Sequence, residues 1–124
     1  MIRFEQVSKT YPGGFEALKN VSFQIKKGEM IFIAGHSGSG KSTVLKLISG
    51  ITKPGKGKVW FNNQDLGELS DNQIGFMRQH IGIVFQDHKI LYDRNVLQNV
   101  ILPLRIIGYP PRKAEERARI AIEK

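Results

Sequence analysis

Apolar and polar residues alternate through Ile2-Arg3-Phe4-Glu5-Gln6-Val7, the pattern of a half-buried strand. Lys9-Thr10-Tyr11 follows, and Pro12-Gly13-Gly14 is a turn signal. Alternation resumes from Leu18 to Ile25 through Val21, Phe23 and Ile25, and Lys26-Lys27-Gly28-Glu29 marks the next turn. The pattern then changes. Met30-Ile31-Phe32-Ile33-Ala34 is a continuous apolar run, which predicts a strand buried on both faces. Past residue 40 the period becomes helical. Val44, Leu45, Leu47, Ile48 and Ile51 predict a helix that starts near Lys41 or Ser42 and stops at Gly50.

The second half repeats these signals. A turn cluster, Thr52 to Gly57, precedes a short strand at Lys58-Val59-Trp60-Phe61, closed by Asn62-Asn63. Ser70-Asp71 can cap a helix carrying Ile74, Phe76 and Met77. Ile81-Gly82-Ile83-Val84-Phe85 is a second buried-strand pattern, ending at Gln86. Val96, Val100, Leu104 and Ile107 share a helical face that Pro103 should kink or interrupt. Gly108-Tyr109-Pro110-Pro111 breaks the chain, and Arg112 to Lys124 reads as a charged helix with a Glu115–Arg119 pair.

The chemistry concentrates between the first apolar run and the first helix. Gly35-His36-Ser37-Gly38-Ser39-Gly40-Lys41-Ser42 matches G-x-x-x-x-G-K-[ST] in the strand–loop–helix context that a phosphate-cradling loop needs. Glycines let the backbone curl so that successive N–H groups surround an anion. The helix start adds unpaired donors and the positive end of a dipole. Lys41 supplies a mobile charge for the β- and γ-phosphates, and Ser42 a hard oxygen suited to Mg²⁺. Backbone amides from Ser39 to Thr43 should line the phosphates.

Composition adds bounds. The 124 residues suffice for one domain or part of one, and 40% are hydrophobic, so the chain is not disordered by composition. It has no cysteine, which excludes disulfides and thiolate metal sites. His36, His80 and His88 have no metal-ligand spacing. No apolar run approaches a membrane span, and the first residues are not a signal peptide. The net charge of +8 permits nucleic-acid binding, but the basic residues are scattered and lack interleaved aromatics; a solvated basic surface is expected.

These residues together resemble the nucleotide-binding subunit of ABC-type ATPases. The likeness rests on Lys9-Thr10-Tyr11, Gly35 to Ser42, Val84-Phe85-Gln86 and Asn99-Val100, and spans essentially the whole chain. Met1 to Phe4, Gly35 to Gly38, Phe85 to His88 and Asp93-Arg94 point to the family's cell-division branch. The resemblance implies a truncated α/β P-loop NTPase of the ABC type: an antiparallel β subdomain, part of the parallel core sheet and the start of the helical subdomain. Residues 1–94 would belong to the ATP-binding core and 95–124 to the helical subdomain. It implies ATP and Mg²⁺ as cofactors, Tyr11 stacking on adenine, Gly35, His36, Ser37, Gly38, Ser39, Gly40, Lys41, Ser42 and Thr43 around the phosphates, and Gln86 joining Ser42 at the metal. Gln86 would also pass motion to an FtsX-like integral membrane partner. A homodimer would sandwich ATP at the cytoplasmic face of the bacterial inner membrane.

The family's signature motif, Walker B acids and switch histidine have no counterpart here. The expectation is therefore the N-terminal half of a longer ATPase, which binds ATP without turning it over and contains no catalytic residue. Asp87 is not taken as the base. In the resembled fold a strand from outside this chain separates Met30–Ala34 from Ile81–Phe85, so both runs should present open edges and favour a swapped or intertwined oligomer. The alternatives are a phosphate-loop kinase or GTPase, for which a guanine-reading N-K-x-D is absent, a related ABC exporter ATPase, and a basic nucleic-acid-binding module.

Overall fold

The computed structural model describes all residues from Met1 to Lys124 and divides them into two compact units, Met1–Gly82 and Ile83–Lys124. The first is built on a four-stranded antiparallel sheet. Its strands are β1 (Ile2–Thr10), β2 (Glu16–Ile25), β3 (Lys56–Phe61) and β4 (Gln64–Asp65), in the spatial order β2-β1-β3-β4. Two helices complete it, α1 (Lys41–Ile48) and α2 (Asp71–Arg78).

The strands are longer than the alternation predicts, and a defect in their ladder explains the core. Phe4 and Val7 are both fully buried although three positions apart, which a regular strand would place on opposite faces. The register between β1 and β2 shifts between these residues, and Gln6 has φ 47°. A bulge absorbs one residue and returns Val7 to the core side. Across the ladder Asn20 does the same with φ 49°, between Leu18 and Val21. Serines hold both bulges: the Gln6 amide donates to Ser22 Oγ at 2.8 Å and the Asn20 amide to Ser8 Oγ at 2.9 Å.

The core gathers Phe4, Val7, Leu18, Val44, Leu47, Val59, Leu66, Ile74 and Met77. Phe23, opposite Phe4 on β2, stacks on it with ring centroids 4.4 Å apart. From α1 the core takes Val44 and Leu47, with Ile48 against its margin, while Leu45 and Ile51 stay exposed. The five-residue apolar face read from the sequence is therefore wider than the buried one. Gly50 ends α1 as expected: φ is 65°, and a β-carbon there would lie 3.0 Å from the Ile74 methyl groups. Arg78 of α2 donates from Nε to the Ser49 carbonyl and from Nη2 to the Gly50 carbonyl, both at 2.9 Å, which satisfies the end of α1. Ser70 caps α2 in a reciprocal capping box with Gln73.

Trp60 lies on the sheet between Arg3 and Lys58, whose charged groups sit 5.1 and 5.3 Å from its ring centroid, and donates from Nε1 to Glu5 Oε2 at 2.8 Å. Beside it, Lys58 Nζ lies 3.2 Å from the buried Asp65 carboxylate.

The two runs predicted as buried strands form no strand. Residues 26–40 and 81–95 carry no strand or helix. Met30 and Phe32 are each 83% exposed and Val84 is 94% exposed. The antiparallel sheet forms without the expected parallel ladder. Continuous apolar character reports what surrounds a strand when its neighbours are in place. A ladder also needs a partner backbone, and neither run has one in this chain.

The second unit is a helical hairpin, α3 (Val96–Ile106) packed on α4 (Pro111–Ile122). Asn95 opens α3 with a capping box to Gln98. The helix continues through Pro103, so of the expected kink or interruption the interruption does not occur. One lost ladder bond is tolerated in a capped, eleven-residue helix that packs on α4. Ala114 and Ala118, one turn apart, are the buried residues of α4. Pro111 occupies its first turn, where no amide donor is needed. Glu115 and Arg119 pair at 2.7 Å as read from the sequence.

Replacing Leu47, 1% exposed, with alanine should lower the unfolding free energy of the first unit by about 2–5 kcal/mol. Leu45→Ala, at a position 58% exposed on the same helix, should change it by no more than about 0.5 kcal/mol. Urea denaturation of the two variants measures the contrast; equal losses would show that α1 does not pack as described.

Candidate nucleotide-binding site

The glycine loop occupies residues 35–40 and delivers the chain into α1 at Lys41. The residue before the helix is Gly40, with φ 90°. A β-carbon at this position would lie 2.5 Å from the Ala17 carbonyl oxygen and 2.8 Å from Leu18 Cδ2. The loop therefore closes directly against β2, and only glycine meets both the backbone angle and the space. Glycine also leaves α1 without a side-chain cap, and no acidic residue stands in its first turn. By contrast, α2 and α3 are each capped by their own side chains. The start of α1 thus keeps its unpaired amides for an outside acceptor.

Lys41 is half-buried and folds back over the loop. Its ammonium donates to the Gly35 carbonyl at 2.7 Å, to the His36 carbonyl at 2.6 Å and to Ser39 Oγ at 3.3 Å. The charge is thereby held at the centre of the curl. Ser42 is exposed on the first turn of α1, and Thr43 beside it is buried. Ser37 and Gly38 form the turn at the tip, and the Ser39 amide closes onto the His36 carbonyl at 3.2 Å. The His36 ring is exposed, with Nδ1 2.8 Å from the Ser37 carbonyl oxygen.

Tyr11 reaches this site from the end of β1. Its hydroxyl lies 3.3 Å from Thr43 Oγ1, so aromatic residue and loop helix are in contact in one unit. Lys9 Nζ lies 5.5 Å from the Tyr11 ring centroid. The sequence marks Tyr11 as an aromatic after a strand; nothing in the spacing reveals the hydroxyl contact across 32 residues.

Gln86 belongs to the second unit, exposed in the turn spanning residues 86–89. Asp87 next to it pairs with Lys89 at 2.5 Å. The hydrogen bond and charge of Lys89 hold the Asp87 carboxyl below its ordinary value, a direction that makes it a weaker base. Asn99, read only as part of a family pattern, ties the loop ahead of α3. Its Nδ2 donates to the carbonyls of Leu91, Arg94 and Asn95 at 3.0–3.2 Å, and its Oδ1 accepts from the Leu91 amide at 2.9 Å.

Comparison with known proteins gives the family and the fold. The chain is 49% identical over 124 residues to the cell division ATP-binding protein FtsE of Escherichia coli K12, covering all of this chain and 56% of that protein. It is 42% identical over 129 residues to the lipoprotein-releasing system ATP-binding protein LolD of Coxiella burnetii, of which it covers 55%. The chain thus spans little more than half the length of these relatives. Among solved structures it resembles the ATP-binding cassette MJ0796 in a dimeric, post-hydrolysis state bound to ADP and Pi. The TM-score is 0.89 at 37% sequence identity, over 99% of this chain and 56% of that one. Both apolar runs lie inside that match, so the α/β cassette fold is preserved although the runs form no ladder here. The ABC transporter family model covers residues 18–124, and the chain belongs to the ABC transporter family.

Proposed function

We propose that this chain is the ATP-binding part of an FtsE-like ABC ATPase, which couples ATP binding and hydrolysis to an FtsX-like integral membrane partner in bacterial cell division. The observation that carries this reading is 49% identity to an FtsE along the entire chain. The complete ATPase would sit peripherally on the cytoplasmic face of the inner membrane; no helix here is long and apolar enough to cross one. It would work as a homodimer that sandwiches ATP, a reading supported by the dimeric state of MJ0796 with its ADP and Pi.

Each site residue has a part in this reading. The amides from Ser39 to Thr43 meet the phosphates, and Gly35, His36, Ser37, Gly38 and Gly40 give the loop its curl. Lys41 contacts the β- and γ-phosphates, and Tyr11 stacks on adenine. The Ser42 hydroxyl is exposed and engaged by no other side chain, which suits a hard oxygen ligand for Mg²⁺. Once bound, that ion would neutralise charge on the β- and γ-phosphate oxygens. Gln86 joins the metal side of the site and carries its state to the membrane partner. Water activation is assigned to an acidic residue other than Asp87, which pairs with Lys89. A second reading, an ATPase of the lipoprotein-releasing kind, draws on the 42% identity to LolD. Co-purification with an FtsX-like rather than a lipoprotein-exporter membrane protein separates the two.

Calorimetry should show Mg-ATP binding, with ATP preferred over GTP, and Lys41→Ala should weaken it roughly a hundredfold, the scale of lost hydrogen bonds from a charged donor. Unchanged affinity in that variant would sink the assignment. In the same samples, phosphate release should not exceed the Lys41→Ala background; multiple turnovers lost in the variant would contradict the division of labour. Finally, the runs Met30–Ala34 and Ile81–Phe85, exposed apart from Ile81, should be covered by a second chain in a swapped or intertwined oligomer. Light scattering with size-exclusion chromatography reads this directly. A monodisperse monomer with one cooperative melting transition would remove that part of the proposal.

A further inference from the structure

Tyr11 is held at its backbone, at one ring face and at its hydroxyl. Its amide donates to the Phe15 carbonyl at 2.9 Å, and its own carbonyl accepts from the Gly14 amide at 3.1 Å, so the Pro12-Gly13-Gly14 turn fixes its backbone. The Lys9 ammonium sits 5.5 Å from the ring centroid, on one face. That ammonium is itself anchored, donating to the Lys53 carbonyl at 2.7 Å. Lys53 in turn donates to the carbonyls of Gly67 and Leu69 at 3.1 and 3.3 Å. The phenol hydroxyl meets Thr43 Oγ1 at 3.3 Å, in the first turn of α1. Thr43 is buried, so its side chain has little freedom to leave. Stacking of a planar base would use the ring face opposite Lys9.

We infer that the Thr43 side chain is a positioning residue for base recognition, holding the Tyr11 ring in register with the phosphate loop through its hydroxyl. This deepens the nucleotide-binding reading above and rests on it. The physical gain is preorganisation. A stacking platform already fixed relative to the phosphate site loses less conformational freedom when the nucleotide binds. A contact of 3.3 Å is longer than the usual hydroxyl–hydroxyl distance. Site hydrogen bonds of this kind are often long before the ligand arrives and tighten with it. Phenylalanine at position 11 would keep the stacking face and lose the register. Serine at position 43 would keep the register.

A double-mutant cycle tests the pair. Affinities for ATP and for inorganic tripolyphosphate are measured by calorimetry for the chain, Tyr11→Phe, Thr43→Val, Thr43→Ser and the Tyr11→Phe/Thr43→Val double variant. Each of Tyr11→Phe and Thr43→Val should weaken ATP binding roughly two- to tenfold, the scale of one neutral hydrogen bond. The double variant should be no weaker than the more affected single variant. Thr43→Ser should bind ATP within about twofold of the chain. The coupling should be absent with tripolyphosphate, which has no base to stack; a role confined to folding α1 would appear equally with both ligands. Additive losses, coupling that persists with tripolyphosphate, or ATP binding indifferent to both substitutions would overturn the inference and leave nucleotide binding standing. Failure of the chain itself to bind either ligand would overturn the nucleotide reading and the inference together.

Discussion

The helix that follows the glycine loop is tied at both ends to backbone or side chains outside it, and the site depends on this. At its start, Gly40 closes against the Ala17 carbonyl of β2 and Lys41 ties back to Gly35 and His36. At its end, the Arg78 guanidinium takes the carbonyls of Ser49 and Gly50. Between these clamps Val44 and Leu47 sink into the core. An eight-residue helix is marginal in isolation. Here burial of one face and fixed termini replace the length it lacks. The unpaired amides at its start are consequently held in a fixed direction, which a frayed helix could not offer an anion.

The antiparallel unit and the apolar runs illustrate two different requirements for a strand. β1, β2 and β3 each have a neighbour within the chain, and they form despite bulges at Gln6 and Asn20. Met30–Ala34 and Ile81–Phe85 have the stronger apolar character and form nothing. Hydrophobicity drives a segment out of water without specifying a ladder. Backbone hydrogen bonds do specify one, and they need a partner at about 4.8 Å.

That distinction explains what was legible in the sequence. Motifs whose meaning lies within a few residues were plain: the loop from Gly35 to Ser42, the cap at Ser70, the stop at Gly50, the Glu115–Arg119 pair. So was the membership of the fold, because glycine loop, flanking patterns and Gln86 recur in one order. The Asn95–Gln98 capping box is equally local: an Asn with Gln three residues on, ahead of an apolar period, is its signal. Contacts spanning many residues were not legible. Neither the Tyr11–Thr43 hydroxyl pair nor the Arg78 clamp on α1 leaves a local trace. At position 103 proline propensity allows a kink or a break, and packing of α3 on α4 keeps the helix from breaking.

The Lys41 contacts also constrain how the loop meets an anion. An ammonium has three donors, and Lys41 directs all of them at the loop itself. A phosphate oxygen that engages Lys41 must take one. The two carbonyl contacts, at 2.6 and 2.7 Å, are short and charge-assisted, whereas the Ser39 contact is 3.3 Å. The Ser39 donor is therefore the least costly to surrender. Giving it up leaves Gly35 and His36 still clasped, so the curl survives the exchange. A single lysine can in this way hold the curl through two carbonyls and still offer one donor to a phosphate. The same exchange frees the Ser39 hydroxyl beside the amides that open α1, adding a neutral donor at the point where negative charge enters.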